Sequence, residues 1–234
     1  MFRNQYDSDV TTYSPQGRLH QVEYAMESQK LGSVITGVRS NTHVVLAAIK
    51  RSSGPLCSYH EKIFDVDSHC GIALAGLAAD GRGLCRYLRR EAMDHQYVYN
   101  SEVPIERLVL GLADKSQQRT QIEGSRPYGV SLIVGGHDRT GPRLFQTCPS
   151  GNCYEYYACA LGQRAQSAMS FFDRNKEKIA ESTEAELVRL AFDALRTTLS
   201  EDGDLTPASI SVAIAGADGF KKLSDEEVLA FFQG

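Results

Sequence analysis

The sequence predicts a mixed α+β domain, and its element order is the main reason. Short runs rich in β-branched residues alternate with longer stretches whose apolar residues recur three and four positions apart, giving strands, two helices, strands, two helices and strands. A second reason is continuity. Pro and Gly are scattered, and no low-complexity stretch, charge run or internal repeat interrupts the pattern. The expectation is one domain over residues 1–234, a length that can bury a substantial core. Element order alone does not fix the layers.

The N-terminal segment and first helix occupy residues 1–31. Tyr6-Asp7 is followed by Ser14-Pro15-Gln16-Gly17-Arg18-Leu19, a polar turn that runs directly into Gln21-Val22-Glu23-Tyr24-Ala25. Leu19, Val22 and Met26 share one helical face, Gln21 and Ser28 point the other way, and Ser14-Pro15 supplies turn and helix-start chemistry. Residues 34–39 and 43–49 read as strands joined by a Ser40-Asn41-Thr42 turn, and 62–67 and 71–77 as two more. Leu84, Leu88 and Ala92 mark a helix over about 79–100, and Ile105, Leu108, Val109 and Leu112 mark its partner. Strands return at 128–135, 142–148 and 153–161, the first being an apolar run of the buried kind. The second helix pair carries Ala165, Ala168, Met169 and Phe172, then Leu187, Leu190, Ala191, Ala194 and Leu195. Ile210, Val212 and Ile214 alternate as a late strand that pairs with 220–223, and Ser224 caps a last helix carrying Val228, Leu229 and Phe232.

Composition narrows the function. A net charge of -4 leaves no broad basic face for nucleic acid, and Arg86, Arg89 and Arg90 read as a solvated or subunit-facing helix side. Neither a secretory signal nor a bilayer-length apolar run is visible, so the expectation is a soluble protein of the cell interior with no membrane partner. Cys57, Cys70, Cys85, Cys148, Cys153 and Cys159 form no C-x-x-C pair and have no histidine at ligand spacing. They read as small buried hydrophobes, with no disulfide, metal or cofactor. Gly76 and Gly81 have phosphate-loop spacing, but Arg82-Gly83 replaces the required Lys and Ser or Thr, so a helix-packing turn explains them. The six histidines are dispersed. His69-Cys70 lacks a convincing ligand partner and reads as strand-edge polarity beside a buried thiol.

The string Tyr-Asp, Ser-Pro-x-Gly-Arg-Leu, Gln-Val-Glu-Tyr-Ala resembles the signature of proteasome alpha subunits, and Met1-Phe2-Arg3-Asn4-Gln5-Tyr6-Asp7 looks most like the family's type-1 (alpha 6) branch. The resemblance continues through Gly32-Ser33, Glu61-Lys62-Ile63, Gly76-Leu77-Ala78-Ala79-Asp80, Arg126-Pro127-Tyr128-Gly129-Val130-Ser131-Leu132 and Gly141-Pro142-Arg143-Leu144-Phe145. It reaches the C-terminal helix. The chain ends at Gly234 without the long charged tail of many type-1 members, a departure that leaves the motifs untouched.

The resemblance implies a four-layer α-β-β-α sandwich of the N-terminal-nucleophile hydrolase type. It also implies a noncatalytic role. Active relatives of this superfamily use an N-terminal threonine whose own amine is the base. Here the matching position is Ser33 behind an intact peptide bond, the supporting aspartate falls at about Ile49, and only the lysine is matched, by Lys62. No catalytic residue is therefore assigned. The alternative is an active hydrolase processed before Ser33, which intact mass separates from a chain beginning at Met1 or Phe2; a free-standing adaptor outside any barrel is a third reading.

The family role is structural and regulatory: a heptameric alpha ring on the 20S core, stacked on beta-ring subunits, that gates substrate entry and docks activators such as the 19S regulatory particle in ubiquitin-dependent degradation, in cytoplasm and nucleus. By position, Tyr6, Asp7, Pro15 and Tyr24 match the cluster that holds the open gate. Read without the resemblance, they cap a helix. Lys62 matches the pocket lysine that meets an activator's terminal carboxylate, with Gly17, Leu19, Glu23, Gly32, Gly76 and Leu77 along the pocket wall.

Overall fold

A computed structural model describes residues 5–51, 56–199 and 205–233. Residues 1–4 of the opening string, and Gly234, lie outside them. Ten strands form two antiparallel five-stranded sheets. The first has the order β10-β9-β2-β1-β8, from β10 (Gly219–Lys222), β9 (Ile210–Gly216), β2 (Val44–Ile49), β1 (Ile35–Arg39) and β8 (Ala158–Leu161). The second has the order β3-β4-β5-β6-β7, from β3 (Ile63–Asp67), β4 (Cys70–Gly76), β5 (Val130–Asp138), β6 (Gly141–Thr147) and β7 (Cys153–Glu155).

Alternation along the central strands builds three apolar layers. Val45, Ala47 and Ile49 of β2 and Ile210, Val212 and Ile214 of β9 face α4 (Ala165–Arg174), α6 (Glu184–Arg196) and α7 (Asp225–Gln233). Val44, Leu46, Ala48, Ala213 and Ala215 face the opposite sheet, where they meet Ile63, Ala73, Ala75, Ile133 and Leu144. Cys70, Ile72, Leu74, Val130, Leu132 and Val134 turn outward against α2 (Ala78–Tyr99) and α3 (Ile105–Gln121). A period-2 chain buried on both faces gives this pattern, and each fully buried Leu or Ile contributes about 1.5–3 kcal/mol. The architecture is the expected α-β-β-α sandwich. Gly37 permits close sheet contact, since a Cβ there would lie 2.8 Å from Ile133 Cγ2 and 2.9 Å from Leu144 Cδ1.

Both predicted helix pairs form, with a short α5 (Lys176–Ile179) between α4 and α6. Ser224 caps α7 as expected: its Oγ accepts from Glu227 N (3.3 Å), and Glu227 Oε2 accepts from Ser224 N (2.8 Å).

Four expectations change. Residues 153–161 are not one strand: Tyr156 N donates to Leu144 O of one sheet (2.9 Å), whereas Tyr157 O accepts from Arg39 N of the other (2.8 Å). The chain changes sheet between two adjacent tyrosines. Ser14-Pro15 does not start the helix, because α1 (His20–Ser28) begins after Leu19, with no side-chain cap. Gln21 and Ser28 do more than point away from the apolar face; both donate hydrogen bonds to other segments. Cys70, Cys85 and Cys159 are buried as expected, but Cys148 and Cys153 are half-buried and Cys57 is exposed.

Candidate functional site

The turn ahead of α1 is set by its sequence. Gly17 N donates to Ser14 O (2.8 Å), Ser14 N to Arg18 O (2.9 Å) and Arg18 N to Ser14 Oγ (3.1 Å), with Gly17 at φ +76°. Gly tolerates that left-handed conformation and Pro15 fixes its own φ, so the reversal is preset. Arg18 then grips Glu23 through two bonds, Nε to Oε1 at 2.7 Å and Nη2 to Oε2 at 2.5 Å. His20 is buried beside them and stacks on Tyr24 with ring centroids 6.3 Å apart.

The first turns of α1 present two donors to one residue of the N-terminal segment. Tyr24 Oη donates to Asp7 Oδ2 at 3.0 Å, and Gln21 Nε2 donates to Asp7 O. Residues 21 and 24 are three apart and lie on one helix face, so this face clamps Asp7 by side chain and backbone together. Of the four expected gate residues the fold brings Asp7 and Tyr24 into contact. Tyr6 is half-buried and Pro15 exposed, and among the described residues no hydrogen bond joins either to that pair.

The far end of α1 is built differently. A 3-10 turn, Gln29–Leu31, leads to Gly32, and Ser131 Oγ of β5 donates to Gln29 Oε1. A Cβ at Gly32 would lie 2.7 Å from Gly76 N, and one at Gly76 would lie 2.3 Å from Gly129 O. Gly76 also has φ +118°. Three backbones therefore meet where no side chain fits. The Gly129 carbonyl accepts from Leu77 N (2.8 Å) and Ser28 Oγ (2.9 Å), while Gly129 N donates to Asp80 Oδ2 (3.0 Å). Arg126 completes the junction with a two-bond grip on Asp80, Nη1 to Oδ2 at 2.6 Å and Nη2 to Oδ1 at 2.8 Å. Those bonds, foremost, hold the Asp80 carboxyl below its usual range.

Lys62 leads into β3 beside this junction. Its carbonyl accepts from Leu74 N (3.0 Å), two residues before Gly76. Its ammonium is half-buried, makes no hydrogen bond among the described residues, and has its pKa lowered by burial. A partly desolvated cation gains from pairing with an anion. Of the other expected pocket residues, Gly32, Gly76 and Leu77 gather at this end of α1, with Leu77 half exposed. Gly17, Leu19 and Glu23 lie at the opposite end, where Glu23 is engaged by Arg18.

Sequence reasoning did not single out Gln21, Ser28, Asp80, Arg126 or Gly129. All but Ser28 stand in the strings that carry the resemblance, and Gly129 follows Arg126-Pro127-Tyr128, where the sequence reads as a strand from residue 128. Of the positions matched to a catalytic unit, Ser33 leads into β1, Ile49 ends β2 within the apolar layer facing α6, and Lys62 leads into β3.

Comparison with known proteins spans nearly the whole chain. The family described as proteasome subunit matches residues 29–215, and the N-terminal signature of proteasome alpha-type subunits matches residues 6–27. The proteasome alpha type-1 subunit of Dictyostelium discoideum is 47% identical over 227 residues, covering 97% of this chain and 92% of its own. The proteasome alpha type-6 subunit of Saccharomyces cerevisiae is 44% identical over 232 residues, covering 98% and 99%. The probable proteasome alpha type-6 subunit of Schizosaccharomyces pombe is 46% identical over 226 residues, covering 97% and 83%.

Proposed function

This chain belongs to the proteasome alpha-subunit family of the 20S core, and on that premise we propose that it is a noncatalytic gating subunit whose N-terminal segment is held open by α1. Family membership carries assembly with other proteasome subunits and a part in protein degradation. The finer reading places it in a heptameric alpha ring against beta-ring subunits, in cytoplasm and nucleus, and gives the pocket near Lys62 to the C-terminal tail of an activator such as the 19S regulatory particle in the ubiquitin-dependent pathway. A noncatalytic role is supported by Ile49, a buried apolar residue where a carboxylate is needed to support a nucleophile.

The observation that carries the gating reading is the 3.0 Å contact from Tyr24 Oη to Asp7 Oδ2. It gives a segment near the chain start one defined docking place on a helix, made by neutral donors only, a hydroxyl on the Asp7 carboxylate and an amide on its carbonyl, contacts of a size that can order a segment and release it. A ligand that favours the docked form shifts the equilibrium only through differential contacts, so deleting one contact lowers the open population. In assembled barrels, Tyr24→Phe or Asp7→Ala is expected to preserve assembly and unstimulated hydrolysis while cutting activator-stimulated peptide entry by roughly twofold to tenfold, the worth of one hydrogen bond. Wild-type stimulation in both variants would remove these residues from the gate.

A further inference from the structure

Two segments far apart in sequence converge on the Gly129 peptide. Its N–H goes to Asp80 in the first turn of α2, and its carbonyl receives Leu77 N and the hydroxyl of Ser28, the last residue of α1. The Ser28 proton is shared, since Oγ is also 2.7 Å from Ala25 O within the same helix. A Cβ at 129 would lie 2.7 Å from Leu77 Cδ1 and 3.0 Å from Ser28 Oγ, so a side chain there would displace Leu77 and crowd the Ser28 contact. Arg126, three residues earlier, closes the loop by gripping both Asp80 oxygens and its neighbour's carbonyl, Pro127 O, at 3.1 Å. The Asp80 carboxylate thus faces a guanidinium on one side and a peptide N–H on the other, with only 11% of its side chain exposed.

The consequence runs along α1. Ser28 and Tyr24 are four residues apart, one helical turn, so they share a face. A helix of nine residues is short and stiff, and fixing its last side chain fixes where the preceding turn points. We infer that the Asp80–Arg126 pair is a positioning clamp for α1: by fixing the Gly129 carbonyl that receives Ser28, it sets where Tyr24 presents its hydroxyl to Asp7. Among the described residues, Asp80 and Arg126 touch neither the N-terminal segment nor Lys62 by any hydrogen bond; the Gly124 backbone, two residues before Arg126, does reach the Asp9 carboxylate, so the α1 route is distinguished by the Ser28–Gly129 contact. This assignment rests on the gating reading for its functional effect, and not for its structural one.

The test separates the two. Barrels carrying Arg126→Ala, Arg126→Lys or Ser28→Ala are compared with wild type by amide hydrogen exchange over residues 20–28 and by activator-stimulated peptide entry. Arg126→Ala is expected to speed α1 exchange roughly fivefold, a modest figure because the guanidinium is largely exposed, with α6 exchange unchanged. Arg126→Lys, which keeps charge and loses the fork, should fall between. Ser28→Ala should also speed exchange, although alanine is the better helix former, so the sign itself excludes a propensity effect. Combining Ser28→Ala with Arg126→Ala should cost less than the product of the two, because both act on one carbonyl. Stimulated entry should fall in step. Unchanged α1 exchange in Arg126→Ala and Ser28→Ala, or equal acceleration in α6, overturns the clamp; where Arg126→Ala barrels do not assemble, Ser28→Ala alone decides by the same readout. Faster α1 exchange with wild-type stimulated entry leaves the clamp standing and overturns the gating reading instead.

Discussion

The two ends of α1 are held by different physics. At its start, Asp7 is docked by one tyrosine hydroxyl and one amide, beside an Arg18–Glu23 pair that is substantially solvated. At its end, three glycines bring backbones into direct contact and a carboxylate with 11% exposure is locked between Arg126 and Gly129. Solvated polar contacts contribute little and exchange readily with water, whereas close-packed backbone has no nearby alternative arrangement. The difference teaches that the two ends of one helix can be held with unequal firmness, and on the proposed function the firm end is a pivot and the other a releasable latch.

The comparison breaks most forcefully at the pivot. Gly76→Ala puts a Cβ 2.3 Å from Gly129 O at a φ of +118°, and we expect a stability loss of about 2–4 kcal/mol, read as a lower unfolding midpoint or failed assembly. Gly17→Ala at the latch meets no described residue within 4 Å and there carries only the cost of its φ of +76°, so it should lose about 1 kcal/mol. Similar losses at the two glycines would erase the distinction.

Lys62 gives the next effect. A charge-assisted bond from its ammonium to a tail carboxylate is worth roughly 1.5–3 kcal/mol, about tenfold to a hundredfold in affinity for one isolated tail peptide. Lys62→Ala and amidation of the peptide's terminal carboxylate should each weaken binding to assembled barrels, and together cost less than their sum. Burial sets the sign of the pH response. It lowers the Lys62 pKa below 10.5, so binding should be full at neutral pH and fall as alkaline pH strips the proton, starting below 10.5. Additive losses, or none from Lys62→Ala, would put the tail elsewhere. An intact activator docks several tails, so its loss should be smaller than the peptide's.

Much of this was legible in the sequence, for physical reasons. Central strands carry β-branched residues, on both faces in 44–49 and on alternate positions in 210–216, and Leu84, Leu88 and Ala92 fix a helical stripe, so strands, helix pairs and their order could be read directly. The sheet change at Tyr156-Tyr157 could not. Two tyrosines carry strand propensity into either sheet, and nothing local says that consecutive residues bond to different partners. At the site, the resemblance pointed to Asp7, Tyr24 and Lys62, but the clamp stayed hidden because Ser28, Asp80 and Gly129 are distant in sequence and ordinary in type. Ser28 reads only as a residue turned away from the apolar face, and nothing local says that Gly129 is brought beside it. Half-burial of Lys62 was equally invisible, since a lysine before a strand is usually solvated.

The most direct test of a latch and a pivot on one helix is amide exchange in assembled barrels with and without activator. Residues 5–24 should gain protection when activator binds, by roughly twofold to tenfold, while residues 74–80 and 129–132 keep their wild-type rates. Equal changes at both places, or a change confined to 74–80 and 129–132, would contradict the account.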